Sequence, residues 1–436
     1  MLCSSTYKEM SRVSLFQRIL LSFLTSLIVI YFFYGFYINE NSAGGGGYNG
    51  DLSAVFKNLQ LFVNNNFIES IKLTKNNYLY YTNRPPLLYI LHSWLNPYSN
   101  NLELFRLIVF FISVLTLFLF YFSLKIKFKN VNNFFLIFVA SLLLLSPYFR
   151  TSSYWGLEEN YAFISLLVSF ILLNFFFSKK NYYYLCLCVF FSSLCVYFDQ
   201  KFLIIPLICL FLLIFSKIHI KYKIFSILLY FLFSLPFIYL IKLWGNITPV
   251  GNMEIYKLSN RLYFHHICFI TNILGFYLFP FFFFFNKNRL KKLLADIYKK
   301  KINHFILCIA LFYLIIFFFF LDISPSFSFG GGYSYKVGVF FSTNIFFQKF
   351  LISIIFIFSF LIILIFANDN LINALFIIFF LLLSIFINPL LHEYLDPLIL
   401  VFFLTFSKTK MIFSIRNVLL FFSYFLIILQ SAKIYH

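Results

Sequence analysis

Phe350-Leu-Ile-Ser-Ile-Ile-Phe-Ile-Phe-Ser-Phe-Leu-Ile-Ile-Leu-Ile-Phe366 runs without a single charged residue. A helix of that length approaches the thickness of bilayer hydrocarbon. Outward from it, similar apolar runs recur at about 19–38, 104–124, 131–147, 161–177, 182–198, 202–216, 224–243, 264–285, 304–321, 371–388, 395–407 and 414–430. The sequence therefore predicts an all-α polytopic membrane protein with about 11–13 transmembrane helices. Composition points the same way: the 436 residues are 62% hydrophobic and 11% charged, whereas soluble domains are about a quarter charged. Cys186, Cys188, Cys195, Cys209, Cys268 and Cys308 fall inside or beside the apolar runs. There a thiol behaves as a small hydrophobe, and neither a disulfide framework nor a zinc site is implied.

A net charge of +20 raises the question of nucleic acid, but the basic residues alternate by loop instead of forming a patch. With the N-terminus in the cytoplasm, the inner segments carry Lys8, Arg12 and Arg18, then Lys125, Lys127 and Lys129, then Lys179 and Lys180, then Lys217, Lys221 and Lys223. Lys287, Arg289, Lys291, Lys292, Lys299, Lys300 and Lys301 follow, and finally Lys408, Lys410 and Arg416; together these are 21 of the 34 Lys and Arg residues. This is the positive-inside pattern, so membrane lipid is the expected partner and nucleic acid is not. Of the acids only Glu9, Asp296 and Asp369 lie inside, so carboxylate chemistry is expected on the extracytoplasmic side; the membrane expected is a bacterial inner membrane. The first apolar run is longer than a cleavable signal core and lacks a small-residue cleavage site, so it is expected to remain as a helix. The organisation expected is one integral membrane domain over 1–436, a first extracytoplasmic loop at 39–103, a basic cytoplasmic loop at 286–303 and no soluble C-terminal domain.

The loop 39–103 is the largest interruption of the apolar pattern. Gly44 to Gly47 and Tyr48-Asn49-Gly50 lead to Asp51, followed by apolar residues at 52, 55, 56, 59, 62 and 63, the spacing of an amphipathic helix. Lying in the interface, that helix would hold Asp51 at headgroup level, where a lipid phosphate arrives; equally, Asp51 suits the N-cap of the same helix. The loop closes with Arg84-Pro85-Pro86-Leu87 and a short apolar segment. Arg84 just ahead of a helix start is placed to hold phosphate oxygens or to touch lipid headgroups. A second polar turn, Ser146 to Asn160, carries Arg150 and the adjacent pair Glu158-Glu159 beside Trp155. Its carboxylates fit either a charged helix start or a polar site. His392 and Glu393, in a later outer turn, offer contacts to a substrate or a divalent metal, or form an interfacial surface. The stretch 286–303 reads as a basic amphipathic helix on anionic lipid.

Taken in order, an Asp in the first outer loop, Arg84-Pro85-Pro86-Leu87, Glu103-Leu104-Phe105-Arg106 and an acidic outer turn resemble the GT-C membrane glycosyltransferases. The stretch from Asp51 to about Asn174 is similar to the protein O-mannosyltransferase and aminoarabinose transferase branch, where a basic residue or His precedes Pro-Pro-Leu. The resemblance implies that Asp51 is the catalytic base, that Arg84 contacts the donor phosphate and that Glu158 or Glu159 stands for the family's second acidic site. Two departures stand out: Asp51 has no neighbouring carboxylate, and the soluble domain many relatives append is not expected after the last apolar run.

The sequence has neither a Walker glycine-lysine loop nor a dinucleotide fingerprint, so no nucleotide cofactor is expected. A polyprenyl-phosphate sugar is the donor expected, with a lipid, glycan or protein hydroxyl as acceptor and inversion at the transferred carbon. Two other readings are a lipid-linked oligosaccharide polymerase or ligase, which favours a large later loop rich in Arg, and a transporter or flippase of lipid-linked sugars. The latter needs ionisable groups at mid-membrane, and the apolar runs have none centrally.

Overall fold

The structure is a computed structural model and describes residues 14–43, 46–76, 78–249, 262–323, 332–386 and 390–435. It is 79% helical, with no strand among the described residues. The chain divides into two compact units, 1–254 with 422–436, and 255–421.

The first unit contains α1 (Leu15–Tyr37), α2 (Ser53–Asn64), α3 (Phe67–Leu73), α4 (Leu87–Leu95), α5 (Leu102–Lys127), α6 (Asn133–Ser141) and α7 (Pro147–Trp155). It continues with α8 (Glu159–Lys179), α9 (Tyr182–Phe198), α10 (Ile204–Ile214) and α11 (Ile220–Trp244). The second holds α12 (His266–Leu278), α13 (Lys287–Lys299), α14 (Lys301–Phe320), α15 (Gly332–Phe341), α16 (Ile345–Asp369), α17 (Leu371–Ser384) and α18 (Leu398–Leu404). The last helix, α19 (Ile415–Tyr435), begins in the second unit's residues and ends in the first's.

Among the described residues eight helices, including α1, α5, α8, α11 and α16, are long and apolar enough to cross a membrane, which makes this a multi-pass integral membrane protein. A ninth crossing is formed if the pair 133–145 and Pro147–Trp155, bent by 70°, counts as one, and α9, α10 with its preceding turn, and α17 are shorter apolar helices. The bend has a local cause: Pro147 has no N–H to continue the ladder, and the Ser146 hydroxyl accepts from Phe149 N–H at 3.0 Å, starting α7 in a new direction. The run expected at 395–407 is helical only over the seven residues of α18.

The helices owe their apolar sequence to lipid and their starts to a few polar caps. Asn101, Asn132, Asn181 and Asn344 each accept a hydrogen bond from a first-turn amide, satisfying a donor that hydrocarbon would leave stranded. In the second unit α12 lies so close to α16 that a Cβ on Gly275 would overlap Ser359. The expected basic helix is α13; it buries Leu293 and Ile297, and its Arg289 pairs with Asp369, whose second oxygen accepts from the Thr409 hydroxyl at 2.6 Å.

The loop 39–103 folds as α2, α3 and α4 behind a tight turn, Tyr48–Leu52. The apolar stripe of α2 was expected to face lipid; Leu52, Val55, Leu59 and Phe62 are instead buried. Phe62 stacks on Tyr89 of α4 with ring centres 6.2 Å apart, and Asn58 donates to the Tyr89 hydroxyl at 3.2 Å. Among the apolar residues that this loop leaves exposed are Phe67 and Ile68 of α3 with Trp94 and Leu95 of α4. Such a patch, led by a tryptophan, suits the membrane interface.

Candidate functional site

Asp51 is positioned by glycines. Gly47 takes φ +56°, a conformation that costs a side chain dearly, and the turn closes through Gly50 N–H to the Gly46 carbonyl (2.8 Å) and Leu52 N–H to the Gly47 carbonyl (3.1 Å). The Gly47 amide donates back to Asp51 Oδ2 at 3.2 Å. The residue capping α2 is Leu52, with no side-chain bond to the helix, so the Asp51 carboxylate serves the glycine turn and not the helix start. Asp51 is half-buried. Burial pushes its carboxyl above the usual range, and the amides of Gly46 and Gly47 and the charge of Arg84 offset only part of that rise.

Arg84 is held by its backbone on three sides. The Tyr80 hydroxyl donates to its carbonyl (2.8 Å), Gln200 Nε2 to the Asn83 carbonyl (3.0 Å), and its own N–H to the Thr82 hydroxyl (3.3 Å). Pro85 and Pro86 then end the extended stretch, and the Pro86 carbonyl opens α4 by accepting from Ile90 N–H at 3.1 Å. This fixes the guanidinium among three carboxylates: Nη1 lies 2.9 Å from Glu158 Oε2, Nη2 pairs with Glu159, and Nε lies 3.5 Å from Asp199 Oδ2.

The carboxylates come from two corners of the helix bundle. At the α7–α8 corner, Gly156 takes φ +73° and swings the chain so that Glu158 and Glu159 open α8. Glu158 is 1% exposed and makes no cap bond to the helix; its Oε1 accepts from the Tyr89 hydroxyl at 2.5 Å. Burial raises the Glu158 carboxyl above its usual range, and Arg84, the main opposing influence, does not cancel the effect. Glu159 also accepts from the Ser152 hydroxyl (3.2 Å) and lies 3.4 Å from Lys201 Nζ. At the α9–α10 corner, Asp199 Oδ1 accepts from Lys201 N–H at 3.0 Å and Oδ2 lies 3.3 Å from Lys201 Nζ. Below this layer on α4, His92 Nε2 meets the Tyr161 hydroxyl at 2.5 Å, and burial lowers the ring to about 4, which keeps it neutral.

Of the residues singled out in the sequence, the fold thus brings Asp51, Arg84, Glu158 and Glu159 to one place. Arg150 goes elsewhere. It is completely buried against Glu40, at 2.9 Å from Nε to Oε1 and 2.9 Å from Nη2 to Oε2. His392 and Glu393 belong to the second unit, where His392 Nε2 accepts the Tyr333 N–H at 2.7 Å.

Sequence reading missed Asp199, Lys201 and Tyr89. A signal existed for the first two: Asp199-Gln200-Lys201 is the polar break between the apolar runs 182–198 and 202–216, on the same side as 146–160 by strict alternation. Among the described residues the cluster sets four carboxylates (Asp51, Glu158, Glu159, Asp199) against two cations (Arg84, Lys201). No group of three or more His, Cys, Asp or Glu spaced to hold a metal ion occurs among the described residues. In comparisons with known proteins, no family model, no curated protein and no solved structure matches the chain.

Proposed function

We propose that this chain is a membrane glycosyltransferase of the GT-C type. It moves a sugar from a polyprenyl-phosphate donor to a hydroxyl of a lipid, glycan or protein acceptor at the extracytoplasmic face of a bacterial inner membrane, with its N-terminus in the cytoplasm. The observation carrying this reading is the convergence of Asp51, Arg84, Glu158, Glu159, Asp199 and Lys201 from four separate stretches of chain. Their position matters as much as their identity. Glu159 is the first residue of α8 and Asp199 directly follows α9, so the cluster sits at helix ends. A donor whose lipid tail lies between helices presents its phosphate and sugar at that depth; a carrier needs its charged site near mid-membrane.

Asp51 has the properties of a general base. Its side chain is more open than the Glu158, Glu159 and Asp199 carboxylates, and its raised affinity for a proton brings it nearer the working pH. It accepts the proton of the acceptor hydroxyl as that oxygen attacks the anomeric carbon. The bond from that carbon to the donor's phosphate oxygen breaks, and the polyprenyl phosphate leaves with the electron pair, its charge met by Arg84. A single displacement inverts the carbon. Any divalent metal the reaction uses would be an additional partner of these carboxylates.

The test is transfer of radiolabelled sugar from polyprenyl-phosphate donors in membranes containing the wild-type protein or Asp51→Asn. The variant is expected to insert normally and to lose about 10²–10⁴-fold in rate, the contribution of a positioned base. Undiminished transfer would remove Asp51 from the mechanism, and absence of transfer by the wild-type protein from every polyprenyl-phosphate donor would remove the reaction itself.

A further inference from the structure

Arg84 has five N–H donors and no acceptor, and each of its three nitrogens already faces a carboxylate: Glu158, Glu159 or Asp199. A phosphate that draws this guanidinium toward itself competes with those carboxylates for its charge and its N–H groups. The three are not equally replaceable. Glu159 is held independently by Lys201 at 3.4 Å and by the Ser152 hydroxyl at 3.2 Å. Asp199 is held by Lys201 Nζ at 3.3 Å and by the Lys201 amide at 3.0 Å. Glu158 has Arg84 as its one cation among the described residues, and its other oxygen rests on a neutral donor, the Tyr89 hydroxyl, at 2.5 Å.

Resting on the function proposed above, we infer that the Glu158 carboxylate and the donor phosphate are alternative partners of the Arg84 guanidinium. Glu158 keeps Arg84 aligned and yields its place on Nη1 to a phosphate oxygen. The exchange is favourable only if Glu158 does not remain a buried, unpaired anion. It therefore takes up one proton as Arg84 turns away, and Tyr89 stays bonded to it. The charged and titratable groups facing Glu158 all act in that sense or stay constant. Glu159 beside it repels a second negative charge, the buried Tyr80 and Tyr89 keep their protons, and the Arg84 charge, ahead of the hydrogen bond from Tyr89, is what chiefly holds Glu158 ionised. Donor binding thus consumes a proton, and affinity declines as pH rises.

The probe is a short-chain polyprenyl phosphate methyl ester, a phosphodiester whose own charge does not change near neutrality, titrated against the full-length protein in lipid nanodiscs. Glu158→Gln keeps the shape of the side chain and mimics its protonated form. It is expected to bind the probe about tenfold more tightly at neutral pH, the factor equivalent to one charge-assisted hydrogen bond released to the ligand. The wild-type affinity should weaken as pH rises through neutrality, with a slope of at most the one proton that linkage assigns, and Glu158→Gln should lack that slope. If the wild-type protein binds and Glu158→Gln binds equally or more weakly, or if the wild-type affinity is flat with pH, the exchange is refuted while the glycosyltransferase reading stands. The pH series uses wild-type protein alone, so it decides the matter even if the variant fails to fold. If neither protein binds any polyprenyl phosphodiester, both the exchange and the donor class fall together.

Discussion

Two arginines in the first unit, Arg150 buried and Arg84 half-buried, have opposite surroundings. Arg150 is shut between α1 and α7. Nε and Nη2 grip Glu40, Nη1 bonds the Leu144 carbonyl at 3.1 Å, Nη2 bonds the Tyr31 carbonyl at 3.1 Å, and the guanidinium lies over the Tyr31 ring with 4.7 Å to its centre. Lys433 of α19 reaches the same carboxylate at 2.5 Å. Two cations thus share one acid, and two backbone carbonyls take further donors of Arg150. A Cβ on Gly35 would collide with the Arg150 guanidinium, so α1 has to be bare at that point. At Arg84 the ratio is reversed, with three carboxylates around one guanidinium whose side chain is 14% exposed. A sealed ion pair joins helices; an acid-rich one with an open side has groups left to offer a substrate.

The comparison breaks most visibly at Arg150. Arg150→Met leaves Glu40 buried with Lys433 as its remaining cation, and loss of a partner from a buried pair costs about 3–5 kcal/mol. The variant should show a much lower thermal midpoint in detergent and poor yield. Arg84→Met is expected to fold with a smaller loss, because Lys201 remains beside Glu159 and Asp199 and because Glu158, whose carboxyl burial already raises, can take up a proton, while transfer collapses. Equal destabilisation by the two substitutions would mean that the Arg84 cluster is a second joint and not a site.

Lys201 sharpens the contrast from the other direction. In Lys201→Met, Glu159 and Asp199 must both lean on Arg84, leaving it less available to a phosphate. The KM for the lipid donor should rise about tenfold, in line with the loss of about 1.4 kcal/mol of binding, with a smaller change in kcat; Lys201→Arg should restore most of the affinity. An unchanged KM would make Lys201 an onlooker.

The contrast also marks what could be read from sequence. Lipid imposes long apolar helices, and their spacing is visible in any hydropathy pattern, as are the Asn and Ser residues that cap them. Asp51, Arg84, Glu158 and Glu159 stood out because charge is rare in this chain. What the sequence hid is direction. Arg150 shares its turn with Glu158 and Glu159, but α7 repeats every 3.6 residues, so Arg150 and Tyr154 share a face. That face meets α1, where the Tyr154 hydroxyl donates to the Phe32 carbonyl at 2.7 Å, while Ser152 turns toward Glu159. Asp199 and Lys201 were hidden differently, by apolar runs that leave only a three-residue gap for them. The α2 stripe has the periodicity of a helix on lipid and packs on protein, because periodicity reports an apolar neighbour without saying which one.

The finest test is acid. In Glu40, burial alone would raise the carboxyl, but the charge of Arg150 and the hydrogen bonds from Arg150, Lys433 and Ser42 prevail and hold it below its ordinary value of 4.5. A lowered folded-state value means stability that is fully present above about 4.5 and is lost as pH falls through the lower value. Asp51 and Glu158 are raised, so their sign is opposite. The folded state holds their protons more tightly, the cost of ionising them sets in above their ordinary values, and acidification from neutrality relieves it. Stability followed by thermal unfolding should therefore hold or rise slightly from pH 7 toward about 5 and fall below about 4.5. Glu158→Gln should make the first limb shallower and leave the second, while Glu40→Gln, already weaker at neutral pH, should make the second shallower and leave the first. A Glu40→Gln profile that falls as steeply in acid as the wild type would show that the sealed pair is not what acid undoes.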